Sequence, residues 1–321
     1  MRANRGPCVR YLDNFLDNHA PSLRSAIFVG IFPALNFDLT LPGLTELTLH
    51  LSTNSDRIGL RLFLQFCDNC PRLQKMHLRF ACEMAHDVES GQITLMESLE
   101  EFDFTSTVAC RLLPYMDLPS LKRLQISSRL QAGRVDGQAD FLPHNAPVLL
   151  AGSTIMVYRA DHVEEAVELS GNGILVSIIA TFHGSTTIIP WLSNGKSIPF
   201  EQIQYLKIEG SSTYPDFPIN LLRNVTTIQL APRDRRLVDF LVAWRPQPGG
   251  ETPLPSLRRV DCKFAGLPGL YVKLLTSLAM ERKRVGHPIQ LVRMVISVAL
   301  DRDVRELKKH VGELQVRVGM S

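Results

Sequence analysis

The most persistent pattern along the chain is an apolar residue, two intervening residues, a second apolar residue, one intervening residue and a third apolar residue. It is read at Leu44, Leu47 and Leu49, at Leu73, Met76 and Leu78, at Leu99, Phe102 and Phe104, and at Leu121, Leu124 and Ile126. It returns at Ile203, Leu206 and Ile208, at Val225, Ile228 and Leu230, at Leu257, Val260 and Cys262, and at Leu291, Met294 and Ile296. The last two apolar residues of each copy are two positions apart, which puts them on one face of a short strand, and the first falls in the turn before it. Copies start at residues 44, 73, 99 and 121, then at 203, 225, 257 and 291, so the steps are 29, 26 and 22, then 22, 32 and 34. Most lie in or just above the roughly 20–29 residues of a leucine-rich repeat. The unequal steps point to loops of varying length outside the strands.

The entry to several strands carries the same punctuation: Leu41-Pro42-Gly43-Leu44, Cys70-Pro71-Arg72-Leu73, Leu118-Pro119-Ser120-Leu121 and Leu254-Pro255-Ser256-Leu257. Proline there suits a turn into a strand, because it neither continues a helix nor donates a ladder hydrogen bond. Between strands the apolar spacing changes to that of a helix, at Ile58, Leu62, Phe63 and Phe66, at Leu237, Leu241 and Trp244, and at Tyr271, Leu274, Leu275 and Leu278. Strand followed by helix, repeated, predicts an α/β leucine-rich-repeat solenoid with a parallel inner sheet, outer helices and irregular repeats.

On this reading residues 1–321 form a single leucine-rich-repeat domain. Residues 1–40 are a degenerate N-terminal repeat: Leu12 to Leu23 echo Phe63 to Leu73, and Ala26 and Phe28 take the strand positions. Residues 41–127 and 201–300 hold the regular repeats. Residues 128–200 read as irregular repeats of unknown register, with a polar loop at Gln131–Asp140, an apolar run at Ile155–Tyr158 and a β-rich run at Ile174–Phe182. Residues 301–321 are expected to form a C-terminal capping helix, from Val304, Leu307, Val311, Leu314 and Val318 at spacings of 3 and 4. A dimerising heptad seam is the alternative there, but it spans only about two heptads.

Composition narrows the classes. With 321 residues, 45% of them hydrophobic and 21% charged, the chain can bury a large or elongated core. Its net charge of +3 arises from 35 basic and 32 acidic residues scattered along the sequence, without the basic tail or stripe that tracks phosphates, so no nucleic-acid partner is expected. The early apolar stretch Ala26–Leu35 is broken by Pro33 and falls well short of the roughly 20 residues of a membrane span, so no membrane association is expected. Residues 1–18 lack the apolar centre of a secretory signal. The six cysteines are too dilute for a disulfide framework, which fits reduced thiols in the cytoplasm or nucleus. An Asn224-Val225-Thr226 sequon stands without other signs of secretion.

No catalytic, cofactor-binding or metal-binding residues are expected. Cys67 and Cys70 form a C-x-x-C pair, but no second pair supplies the four ligands of a zinc site, and small thiols suit a tight apolar turn. His77, Cys82 and His86, and His310 further on, do not make a ligand set. No G-x-S-x-G elbow occurs, Gly171-Asn172-Gly173 reads as a turn, and Glu97, Glu100 and Glu101 flank a strand as a solvated group. The chain is therefore not expected to be an enzyme.

The remaining candidate surface is the concave face, formed by the strand residues between the buried positions. Its first four strands would present Glu46, Thr48 and His50, then Lys75, His77 and Arg79, then Glu101, Asp103 and Thr105, then Arg123, Gln125 and Ser127. Later strands would present Tyr205, Lys207 and Glu209, then Arg259, Asp261 and Lys263, then Arg293 and Ser297. Glu46, His50, Lys75, His77, Arg79, Glu101, Asp103 and Arg123 are the expected partner-binding residues: a basic row flanked by acidic groups, suited to a protein of alternating charge.

The segment from Phe66 to Leu78, with Cys67, Asp68, Asn69, Cys70 and Pro71, resembles the cysteine-containing leucine-rich repeats of F-box proteins. The looser copies with Leu-Pro-Ser-Leu punctuation are similar to the F-box/leucine-rich-repeat families of mushroom-forming fungi. In such families an F-box docks on the adaptor of a cullin-RING ubiquitin ligase while the repeats select the substrate. The likeness is to the repeat region alone. No Leu-Pro-x-Glu opening is read and few residues precede the first repeat-like strand, so docking of a ligase adaptor on this chain is not expected. The resemblance implies a non-enzymatic scaffold, the substrate-recognition part of an F-box-type ubiquitin ligase receptor whose protein substrate is unknown. The alternative is a free-standing leucine-rich-repeat scaffold unconnected with ubiquitin.

Overall fold

The computed structural model describes residues 22–30, 40–51, 59–81, 87, 92–106, 112–131, 142–160, 164–183, 198–210, 219–232, 244–246, 251–263, 268–296 and 301–318. The architecture is α/β, with mostly parallel strands and, among the described residues, few helices. The chain divides into two compact units, Met1–Leu149 with Ile174–Ile178, and Leu150–Gly173 with Ile179–Ser321.

The first unit runs β1 (Ser25–Val29), β2 (Glu46–Leu51), α1 (Leu60–Asp68), β3 (Lys75–Phe80), β4 (Thr94–Leu95), β5 (Glu101–Ser106), β6 (Met116–Asp117) and β7 (Arg123–Gln131). Strands β1, β2, β3, β5 and β7 pair in that order, all parallel, while β4 and β6 make a small parallel pair of their own. Register follows the sequence pattern. Leu47, Met76, Phe102 and Leu124 lie side by side on adjacent strands, as do Leu49, Leu78, Phe104 and Ile126, and all eight are buried. Burial of each such side chain stabilises the fold by about 1.5–3 kcal/mol, so this ladder outweighs any surface contact.

The punctuation before each strand is a hydrogen-bonded turn. The Leu44 N–H donates to the Leu41 carbonyl at 3.1 Å, and the same bond joins Leu73 to Cys70, Leu99 to Met96 and Leu121 to Leu118 at 3.1, 3.3 and 3.3 Å. Pro42, Pro71 and Pro119 occupy the second turn position, where their fixed φ is already suitable. The apolar residue opening the turn is buried as well, at Leu41, Cys70, Met96 and Leu118, so each repeat has four core positions rather than three. Successive turns are stitched together: Thr45 and Glu46 N–H share the Arg24 carbonyl, Gln74 and Lys75 share that of Thr45, and Glu100 and Glu101 share that of Gln74. On the core side, α1 buries Leu60, Phe63, Leu64, Phe66 and Cys67. Phe63 meets Phe80 edge-on with ring centres 5.9 Å apart, and Phe80 meets Phe104 at 5.8 Å, joining helix to sheet.

The short helix α2 (Ala146–Leu150) precedes β8 (Ile155–Ala160), β9 (Glu164–Gly171) and β10 (Ile174–His183). Residues Ile174–Ile178 of β10 belong to the first unit, where the Leu175 N–H donates to the Lys122 carbonyl at 2.9 Å. The second unit continues through β11 (Tyr205–Gly210), β12 (Thr227–Pro232), β13 (Arg259–Lys263), α3 (Pro268–Arg284), β14 (Leu291–Ile296), α4 (Asp301–Lys308) and β15 (Glu313–Val318). Strands β8, β11, β12, β13, β14 and β15 pair in parallel order. β9 is the exception, pairing antiparallel with β8. Asn172 and Gly173, with φ of 48° and 80°, form the tight turn after β9, a conformation asparagine and glycine tolerate at two successive positions. The same entry turn recurs, from Ile203 to Phe200, Val225 to Leu222 and Leu257 to Leu254.

Three expectations change. The apolar series from Val304 to Val318 does not form one helix: α4 ends at Lys308, and Glu313–Val318 is a strand pairing with β14. Leu314, Val316 and Val318 also alternate with period two, β-branched residues favour a strand, and Gly312 interrupts the helical run. The triplet at β14 is Ile289, Val292 and Met294, because Val292 aligns with Val260 and Met294 with Cys262. Leu291 points to the face opposite the core and is partly exposed. Among the described residues helices are fewer than a strand–helix alternation predicts, and 3-10 turns at Phe200–Gln202 and Ile219–Leu221 precede β11 and β12. Leu237 and Leu241 lie outside the described residues, and Trp244 is buried in a turn. Among the described residues no helix is long and apolar enough to cross a membrane.

Candidate protein-binding face

In a strand, residues between core positions point the other way. In the first unit this arranges three rows across the sheet, on the face opposite the core. The first row is Ser25, Glu46, Lys75, Glu101 and Arg123; the second is Ile27, Thr48, His77, Asp103 and Gln125; the third is Val29, His50, Arg79, Thr105 and Ser127. The eight expected residues Glu46, His50, Lys75, His77, Arg79, Glu101, Asp103 and Arg123 thus share one face of one unit.

Their charges are partly matched within the face. Lys75 Nζ lies 3.2 Å from Glu101 Oε1, with both side chains more than a third exposed. His77 Nδ1 lies 3.6 Å from Asp103 Oδ2, and Arg123 donates to Gln125 Oε1 at 3.2 Å. Exposed pairs of this kind add roughly 0–1 kcal/mol each, so they orient side chains more than they hold the fold. Sequence reasoning missed the apolar end of this face: Ile27 and Val29 on β1 are 70% and 66% exposed. The signal was present in Ser25-Ala26-Ile27-Phe28-Val29, where the outward positions are as apolar as the inward ones.

The corresponding face of the second unit carries a denser network. Arg159 Nη1 lies 2.5 Å from Glu168 Oε1 and its Nε 2.9 Å from Glu209 Oε2, and Lys207 Nζ lies 2.5 Å from Glu209 Oε1. Hydrogen bonding to Glu168 first, and to Glu209 after it, strengthens the hold of Arg159 on its proton. The hydrogen bond from Lys207, with that from Arg159, keeps the Glu209 carboxyl below its ordinary range. Arg259 grips Asp261 at 2.6 Å, and the Tyr205 hydroxyl donates to Gln229. Burial raises the Tyr205 hydroxyl above its ordinary value, so it stays a donor. Arg159 and Glu168 were not readable in advance, because the run Ile155–Tyr158 is apolar at both parities and conceals which residues face outward. Arg293 faces outward and exposed; Ser297 lies outside the described residues.

The other candidates find structural uses. Cys67, Cys70 and Cys262 are buried and free. Burial pushes the Cys67 thiol well up, with Cys70 adding to it, and pushes Cys70 up to about 12. Such thiols stay protonated at neutral pH and are poor nucleophiles and poor metal ligands. His310 Nε2 lies 3.5 Å from Glu306, and the Asn224 amide donates to the Glu201 carbonyl at 2.7 Å. Cys82 and His86 lie outside the described residues. Among the described residues no three His, Cys, Asp or Glu side chains gather as a metal site. No known family model matches the chain, and no curated protein matches it.

Proposed function

We propose that the protein is a non-enzymatic binding scaffold, a leucine-rich-repeat solenoid that holds a protein partner on the outward face of its parallel strands. The observation that carries this reading is the row structure of the first unit. Neighbouring strands in fixed register present charged, polar and apolar side chains at lattice-like spacings, on positions the core does not constrain. The partner-contacting residues on this reading are Glu46, His50, Lys75, His77, Arg79, Glu101, Asp103 and Arg123. The buried free thiols support a reducing compartment, the cytoplasm or nucleus.

The repeat signature around Cys67 to Leu78 resembles that of F-box/leucine-rich-repeat proteins of mushroom-forming fungi, and on that resemblance the scaffold selects substrates for a ubiquitin ligase. The second reading is a free-standing leucine-rich-repeat scaffold unconnected with ubiquitin. Affinity purification of the tagged full chain from its own cells, followed by mass spectrometry, separates the two. The variant Lys75→Glu/Arg79→Glu is expected to lose the specific partner, whereas Arg61→Glu on α1 retains it. Recovery of a cullin-RING adaptor with the wild-type chain supports the ligase reading. A partner without an adaptor supports the free-standing one, and equal partner recovery by both variants removes the face from consideration.

A further inference from the structure

The outward face of the first unit is uneven. Across β3, β5 and β7 its lysine and arginine side chains are mostly engaged, Lys75 with Glu101 and Arg123 with Gln125, and His77 Nδ1 lies 3.6 Å from Asp103. Arg79 differs. It is exposed, and no ion pair or side-chain hydrogen bond engages it among the described residues. Its row neighbours are His50 on β2 and, one strand further, Val29 on β1. Val29 and Ile27, at 66% and 70% exposure, are aliphatic side chains turned to solvent on the strand two removed from Arg79.

We infer that this end of the face takes an extended protein segment carrying a carboxylate close to an aliphatic side chain, the carboxylate at Arg79 and the aliphatic group on Ile27 and Val29. This rests on the reading that the outward face binds protein, and it names the chemistry bound. The geometry suits such a segment. Adjacent strands lie about 4.8 Å apart, so Val29 and Arg79, two strands apart, are separated by about 10 Å at the backbone, the reach of two or three residues of extended chain. An aliphatic contact supplies burial, and a carboxylate on Arg79 supplies a charge-assisted, bidentate hydrogen bond and fixes direction. A nucleic acid fits worse, because Glu46, Glu101 and Asp103 stand on the same face and repel a run of phosphates.

The test is selection of a phage-displayed library of random linear dodecapeptides on the immobilised full chain, followed by titration of the enriched peptides as synthetic fluorescent probes. Enriched sequences are expected to share an acidic residue within three positions of Leu, Ile or Val. Arg79→Glu should weaken their binding by about tenfold or more and Ile27→Ser measurably, while Lys75→Gln, whose cation is already engaged, should change it by no more than about threefold. Replacing the acidic residue of the peptide by lysine should restore binding to the Arg79→Glu chain, a recovery that a folding defect cannot produce. Enriched peptides that are basic, or that bind Arg79→Glu as tightly as wild type, overturn the inference. If those same peptides are lost with Arg123→Glu, the protein-binding face survives and only its placement at Arg79 is wrong. Enrichment of no peptide sensitive to any outward-face substitution overturns both, as does tight binding of a single-stranded oligonucleotide that Arg79→Glu abolishes.

Discussion

Arg282 shows how much a single side chain can hold. It is wholly buried at the end of α3, and it donates to the carbonyls of Pro253 and Leu254 at 2.7 and 3.0 Å. Leu254 opens the turn before β13 with a left-handed φ of 50°, a strained setting for leucine that these two bonds hold in place. Burial pulls the guanidinium down to about 10, so it remains charged at neutral pH. Arg282→Met keeps the length of the side chain but takes its donor from the inward Pro253 carbonyl and leaves the Leu254 carbonyl with the Leu257 N–H alone. At about 1–3 kcal/mol for each unsatisfied group, partly offset by removing a buried charge, a loss of about 2 kcal/mol is expected, visible as a lower urea midpoint. An unchanged midpoint would show that water replaces the arginine without cost. Nothing in the sequence marked this residue, because its partners are backbone atoms 28 and 29 positions away. Cys67 and Cys70, by contrast, were legible as packing residues, since their repeat context already required small apolar groups there.

Among the elements, what was readable was whatever the period of two controls. The strands β2, β3, β5, β7, β11, β12 and β13 fall where the spaced triplets put them, and Phe28 is buried on β1 as its parity requires. The misreadings arise where two periods fit the same residues. Leu314 and Val318 satisfy a spacing of 4 as well as of 2, and Leu291 starts a triplet two residues late while leaving Met294 and Ile296 correctly inward. The antiparallel β9 could not be foreseen, since a non-repeat hairpin has no counterpart to align with. The network it brings to β8 and β11 carries a pH dependence. Glu209 is held below its ordinary value of 4.5 by Lys207 and Arg159, so its contribution to stability is fully present above that value. The contribution is lost as pH falls from there through the depressed value. Thermal unfolding of the wild-type chain and of Glu209→Gln should therefore differ at about pH 7 and converge as the pH falls below 4.5. A gap that stays constant or widens on acidification would mean that the Glu209 pairs do not stabilise the second unit.

For the whole molecule, an α/β chain of mostly parallel strands was legible in the sequence. The change of unit falls at Leu149 and again within β10, in the segment where the repeat pattern fades. The eight expected face residues all belong to the first unit, because they come from four consecutive strands with the same short alternation. The apolar end at Ile27 and Val29 escaped notice, since exposed aliphatic residues look like core until the register is known. The most direct measurement is site-specific photo-crosslinking of the full chain in its own cells, with benzoylphenylalanine at Thr48 or Gln125 on the outward face, and at Arg61 or Glu97 away from it. Partner adducts from Thr48 and Gln125, with none from Arg61 or Glu97, are the expected result. Adducts from Arg61 and Glu97 alone would contradict a partner held on the outward face of the parallel strands.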